Sequence, residues 1–320
     1  MTQKQLAELL GVSGSTVTKA LQESKEVSKE LREKIISEAN RLGVKRRPRK
    51  TRKKLNILVI VPEFRSEFYG EVLGILNTIA RERGFNMFAA ETNFDRDAIR
   101  GFLPPRSVYY DGVIAEGPAY GNERAMLDLK KCGVPIVTVN TGSKDFDAIS
   151  ADIPGAMEEV IGRLIKSGRK RIGYAGENYS MAREISFRKA AEKFGVLREE
   201  YIFSSELRFA AAGAEGFEKL YSLPEPPDAI ICAYDYIVIG LLNAAWNADV
   251  SVPEKLALVG FDNLRAAASY RLGITTIDQK SRALYEKVVD RLMLRINGDD
   301  SPTVRILVKS EIVVRETAII

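Results

Sequence analysis

Three groups of residues in this 320-residue chain could do chemistry. The run Lys45-Arg46-Arg47-Pro48-Arg49-Lys50-Thr51-Arg52-Lys53-Lys54 holds eight cations in ten positions and no acid. Such density suits neutralisation of phosphates and so contact with nucleic acid, although alone it reads equally well as a solvated linker or a targeting address. Arg183 offers a guanidinium fork for a bidentate polar ligand. Asp262 follows an apolar run, where a strand-end carboxylate can accept two vicinal hydroxyls. Catalysis has less to work with. The chain has no histidine, which removes Ser-His-Asp and Cys-His nucleophiles, histidine-ligated zinc and the usual proton shuttle near neutral pH. Neither G-x-G-x-x-G, G-x-x-x-x-G-K-[ST] nor G-x-S-x-G occurs, and Pro62-Glu63-Phe64-Arg65-Ser66 follows the first strand candidate instead. The S-x-x-K pattern Ser186-Phe187-Arg188-Lys189 lies inside a predicted helix. Neither a cofactor nor a metal is expected.

Composition sets the background for these groups. With 45% hydrophobic and 28% charged residues the chain reads as soluble and globular, and its length allows two to three domains of about 100 to 200 residues. The net charge of +5 is unevenly spread: residues 1–54 hold fifteen Lys/Arg against six Asp/Glu, or +9, and the remainder carries −4. Cys132 and Cys232 lie in or beside apolar runs, as small core residues do, which predicts a reducing cytoplasm. No apolar run approaches the ~18 residues of a membrane span, and no apolar signal core stands at the N-terminus, so neither a membrane partner nor export is expected.

Three short helices must position the polar groups of residues 1–43. Thr2-Gln3-Lys4-Gln5 is a capping box, after which Leu6, Ala7 and Leu10 recur at helical spacing until Gly11. Ser13 can cap a second helix whose apolar stripe is Val17, Ala20 and Leu21. Ser28 can cap a third, with Leu31, Ile35, Ile36, Ala39 and Leu42 inward and Gly43 as its stop. Helix, glycine turn, helix is a helix-turn-helix, in which the second helix enters the major groove. The candidate DNA contacts are therefore Ser13, Gly14, Ser15, Thr16, Thr18, Lys19 and Gln22. The spacing Gln5-Leu6-Ala7-x-x-x-Gly11-Val12-Ser13-x-Ser15-Thr16-Val17-Thr18-Lys19, with Val27-Ser28 and Leu42-Gly43, resembles the N-terminal domain of the LacI/GalR family of transcription regulators.

From residue 55 the pattern becomes short β-rich runs, at 57–61, 87–91, 113–115, 136–140, 172–175, 229–233 and 256–261. They alternate with amphipathic stretches at 68–83, 122–132, 157–166, 182–194, 214–220, 237–248 and 284–296. Such alternation predicts an α/β fold with parallel sheets, and so many elements fit two lobes with a cleft between them better than one sheet. Val61-Pro62, Phe68-Tyr69, Arg83-Gly84-Phe85, Gly168-Arg169-Lys170-Arg171-Ile172-Gly173, Val252-Pro253-Glu254, Val259-Gly260-Phe261-Asp262-Asn263 and Ile274-Thr275-Thr276-Ile277 extend the resemblance along the chain. It implies a sensor domain similar to periplasmic sugar-binding proteins. The expected division is a helix-turn-helix domain at 1–44, a basic linker at 45–54 and a sensing and dimerisation domain at 55–320. Within the last, three crossovers near 153, 275 and 303 give lobe 1 about 55–152 and 276–302, and lobe 2 about 153–275 and 303–320.

The resemblance also implies ligand groups. Arg183 lies in Arg183-Glu184-Ile185-Ser186-Phe187-Arg188, similar to the family stretch whose arginine binds effector hydroxyls or carboxylate. Phe68 and Tyr69 stand where family members lay an aromatic face on the ligand. Asn140, Asp152 and Asp235 end strands or begin helices around the same cleft, and Tyr234 replaces a common asparagine with a ring that changes the fit. Arg169 stands where the family commonly has histidine. The linker departs as well: no leucine lies between Leu42 and Leu55 to wedge into the minor groove. Arg46, Arg47, Arg49, Lys50 and Arg52 are instead candidates for tracking phosphates or a narrow minor groove.

The function so implied is a cytoplasmic repressor-type regulator. It would bind operator DNA as a homodimer and respond to a small polar effector, a sugar or sugar derivative. The competing reading, an α/β enzyme with a fused DNA-binding head, has only the short S-x-x-K pattern inside a predicted helix and lacks the dinucleotide, phosphate-loop and nucleophile-elbow motifs, and a free-standing solute-binding protein would not carry the N-terminal helices.

Overall fold

The computed structural model describes residues 2–21, 26–42, 44, 54–95, 98, 110–117, 123–131 and 133–320, in two compact units at 1–54 and 55–320. Gln22, Gly43, Arg46, Arg47, Arg49, Lys50, Arg52 and Cys132 lie outside the described residues.

The first unit holds α1 (Gln3–Leu10), α2 (Gly14–Leu21) and α3 (Lys29–Arg41). The Thr2 hydroxyl accepts from the Gln5 amide at 3.3 Å, and the Gln5 side chain accepts from the Thr2 amide at 2.9 Å, so the capping box is reciprocal. Gly11 closes α1 at φ 65°, a left-handed turn that favours glycine. Ser13 accepts the Thr16 amide at 3.0 Å and starts α2. Leu6, Ala7, Val17, Ala20, Leu21, Val27, Ile35 and Ala39 form a small shared core.

The second unit contains two six-stranded sheets. In the first, the strand order is β11-β5-β4-β3-β1-β2: β1 is Asn56–Val61, β2 Asn86–Glu91, β3 Gly112–Glu116, β4 Ile136–Val139, β5 Asp147–Ala151 and β11 Arg305–Val308. All its pairings are parallel. Ile57, Val59 and Val61 point to one side, where α4 (Glu67–Arg83) and α11 (Ser281–Ile296) cover them, while Leu58 and Ile60 point to the other, the side of α5 (Glu123–Lys131). Burial on both faces explains why β1 reads as an unbroken apolar run.

The second sheet has the order β12-β10-β9-β8-β6-β7: β6 is Ile172–Glu177, β7 Ile202–Ser205, β8 Ala229–Cys232, β9 Ala257–Phe261, β10 Thr275–Asp278 and β12 Glu311–Val313. Only β12 is antiparallel in it. Its helices are α6 (Ile153–Lys166), α7 (Met181–Lys193), α8 (Phe209–Tyr221), α9 (Asp235–Asn247) and the short α10 (Arg265–Ser269). Cys232 is buried in this core. Two glycines let α8 and α9 touch backbone to backbone: a Cβ on Gly213 would meet the Ile237 carbonyl at 2.0 Å, and one on Gly240 the Ala210 carbonyl at 1.9 Å.

Two crossovers lie further along the chain than the expected 275 and 303. β10 pairs with β9 and β12, so 276–278 belong to the second lobe and the chain returns at 279–280. β11 pairs with β5, so 305–308 belong to the first lobe and the last crossover is at 309–310. Arg169 does not face the cleft. Its guanidinium donates to the carbonyls of Asp228, Pro253 and Glu254 and so ties loops of the second lobe together.

Candidate functional site

Ser13, just before α2, and Ser15 and Lys19 on it are exposed, with Thr16 and Thr18 partly so. The Ser13 hydroxyl lies 2.7 Å from that of Ser15 and 2.8 Å from that of Thr16, and the Thr18 hydroxyl donates to the Gly14 carbonyl at 2.9 Å. These local bonds fix short polar groups at the N-terminal end of the helix, the end that meets base edges in a helix-turn-helix. Lys19 reaches Glu26 at 2.5 Å, an exposed pair with little stabilising value.

In the second unit, the chain ends of strands and starts of helices from both lobes converge on one cavity of about 60 Å³. The first turn of α4 supplies Phe68 and Tyr69, the first turn of α7 Arg183, the N-cap of α9 Tyr234, and the end of β9 Asp262. Arg183 and Asp262 form a fork: Nη2 donates to Oδ1 at 2.8 Å and Nη1 to Oδ2 at 3.5 Å. Nη1 also donates to the Ala233 carbonyl, and the guanidinium carbon lies 4.2 Å from the Phe261 ring centre and 5.0 Å from that of Tyr234. The ring of Tyr234 thus serves as a floor for the cation. Gln279 donates to Asp262 Oδ1 at 2.6 Å. Asp262 and Asn263 sit at φ 101° and 53°, a conformation that costs energy for residues with a Cβ and is held by their surroundings.

Asp235 is part of that support, not of the cavity wall. It is fully buried, accepts the Leu264 amide at 2.8 Å and the Thr276 hydroxyl at 2.6 Å, and so clamps the 262–264 turn. Burial, with the nearby charge of Asp262, raises its carboxyl to about 8 against those two hydrogen bonds. Asn140 and Asp152, expected around the same cleft, do not line this cavity. Asn140 Oδ1 accepts the Ala151 amide at 3.0 Å, and Asp152 Oδ1 caps α6 by accepting the Gly155 amide at 3.0 Å.

The structure adds residues that sequence reasoning missed. Glu63, after β1, and Arg208, before α8, line the same cavity with Phe94, Tyr179, Phe209 and Tyr236. Glu63 was visible only as part of a stretch lacking a phosphate loop, and no motif marks Arg208. Beneath Tyr69 lies Glu116, at the end of β3, which accepts from the Tyr285 hydroxyl. Burial raises its carboxyl to about 7, opposed by that bond and one from the Gly117 amide. Among the described residues no group of three or more acidic or cysteine side chains gathers to hold a metal ion, and no helix is long and apolar enough to cross a membrane.

Comparison with known proteins adds four findings. A model described as a periplasmic binding protein-like domain matches residues 161–318. The chain is 25% identical over 307 residues to the HTH-type transcriptional repressor PurR of Glaesserella parasuis, covering 92% of this chain and 90% of the relative. It is 26% identical over 289 residues to catabolite control protein A of Priestia megaterium, covering 86% of each. Among solved structures, the transcriptional regulator CelR–cellobiose complex superposes with a TM-score of 0.71 at 22% identity, over 99% of this chain and 100% of that one.

Proposed function

The chain belongs to the LacI/GalR family of transcription regulators, and from that premise we propose that it represses genes by binding operator DNA as a cytoplasmic homodimer, under control of a small polar effector held between its two lobes. In this reading the head contacts DNA through Ser13, Gly14, Ser15, Thr16, Thr18, Lys19 and Gln22, and Arg46, Arg47, Arg49, Lys50 and Arg52 follow the backbone of the duplex. The observation that carries the effector site is the Arg183–Asp262 fork, lying on the faces of Phe261 and Tyr234 and walled by Phe68 and Tyr69. Two adjacent hydroxyls of a sugar or sugar derivative can replace the bonds within the fork, one accepting from the guanidinium and one donating to the carboxylate, while an apolar sugar face lies on the rings. The effector changes operator affinity only through its different affinity for two arrangements of the lobes. No reaction is proposed for it.

The test is genomic footprinting with and without a ligand found by heating the full chain with sugars, sugar acids and nucleobases, since a ligand of the native state raises the melting temperature. The reading expects operator-like paired half-sites whose occupancy changes with that ligand. A chain that footprints nowhere, or whose occupancy ignores every stabilising ligand, overturns it.

A further inference from the structure

Polar and ring interactions bridge the lobes around this cavity. Arg208 of the second lobe forks onto Glu63 of the first, with Nη1 and Nη2 each 2.8 Å from a carboxylate oxygen. Its Nε donates to Glu177 at 2.9 Å, which anchors the arginine to its own lobe. Tyr236 of the second lobe donates to Glu67 at 2.7 Å, Arg265 reaches Glu71 at 3.3 Å, and Phe94 stacks on Tyr179 with ring centres 4.1 Å apart. Glu63, Glu67 and Glu71 recur every four residues, so one acidic edge of the first lobe meets cationic or hydroxyl groups of the second along its length.

These bridges are unequal. Arg265 is 90% exposed, and such a pair holds little. Glu63 is 6% and Glu177 1% exposed, and the Arg208 guanidinium lies within 5.2 Å of the ring centres of Phe94, Tyr179 and Phe209. Separating Arg208 from Glu63 returns both charges to water and gives up two charge-assisted hydrogen bonds of fixed geometry, a larger loss than parting a mobile exposed pair. The cavity that the Arg208–Glu63 fork borders, about 60 Å³, is far smaller than the roughly 300 to 1,000 Å³ of sites that hold small-molecule ligands. A molecule of sugar size therefore reaches Arg183 and Asp262 only with the lobes apart.

We propose that Glu63 and Arg208 form a latch that closes the two lobes by interactions of the protein alone, and that the latch must release before a ligand reaches the Arg183–Asp262 fork. This rests on the effector-cleft reading, but its test needs no effector, so the two can fail separately. Arg208 is then a positioning residue: its release, rather than a direct bond to ligand, sets how readily the cleft opens.

Hydrogen exchange of the full chain tests this. R208A is expected to speed exchange at 62–71, in the opposite lobe, by about tenfold, the scale of removing one charge-assisted fork, while 157–166 keeps its wild-type rate. Methylguanidinium at millimolar concentration is expected to slow exchange at 62–71 again in R208A but not in E63Q/R208A, because the added cation needs the Glu63 carboxylate. Wild-type rates at 62–71 in R208A, or equal rescue in both backgrounds, overturn the latch. Should R208A loosen the whole chain, R208K decides, since it keeps the charge and loses the fork: faster exchange at 62–71 supports the latch and unchanged exchange overturns it.

Discussion

Glu116 shows how a single buried acid makes stability depend on pH. Unfolded, it ionises near 4.5, whereas in the fold burial raises it to about 7. Between those values the folded chain binds more protons than the unfolded one, so this group's stabilising contribution is complete below 4.5 and declines as pH rises towards 7. E116Q keeps an acceptor for Tyr285 and cannot ionise, so its melting temperature should gain on that of the wild type from pH 4.5 to 7. A gap that stays constant over that range would show that Glu116 does not titrate this way. Residue-scale legibility was partial for a physical reason. Arg183, Asp262, Phe68, Tyr69 and Tyr234 converge on the cavity, but Asn140, Asp152 and Asp235 occupy equally suggestive places and spend their oxygens on backbone amides or a buried hydroxyl. A strand-end carboxylate looks the same in sequence whether it caps a helix, props a turn or faces a ligand. The Glu63–Arg208 pair spans 145 positions, and nothing local connects them.

At the scale of elements, α8 and α9 depend on missing side chains. They carry Phe209 and Tyr236 to the cavity wall, and their close approach at Gly213 and Gly240 leaves no room for a methyl group. G240A should destabilise the chain by about 1 to 3 kcal/mol, the cost of overpacking, read as a lower denaturant midpoint. G74A, at an exposed position of α4 with nothing within 4 Å of the added carbon, should be neutral or slightly stabilising. Equal loss in both variants would mean that close packing is not the cause. The amphipathic helices were legible because two or more turns repeat an apolar stripe. The strands of 147–151, 202–205, 305–308 and 311–313 were not, since three to five residues with few alternating apolar positions carry too little pattern.

For the whole molecule, charge segregation makes a prediction about salt. Replacing Arg46, Arg47, Arg49, Lys50 and Arg52 by serine should flatten the plot of log affinity for operator against log salt by about 0.9 for each phosphate no longer neutralised. Fluorescence anisotropy between roughly 50 and 200 mM salt would measure the slope, and an unchanged one would remove the linker from the DNA interface. The change of pattern at residue 55 could be seen in composition, whereas the crossovers could not, because each depends on which sheet accepts a short edge strand. That detail bears on biosynthesis. β11 completes the first sheet beside β5 and β12 the second beside β10, so both lobes await residues 305–313, which leave the ribosome after every other strand. The three-helix head draws its core from residues 6–44 and needs no later segment for it. During synthesis the DNA-reading part can therefore fold while the part that would regulate it is still two unfinished sheets.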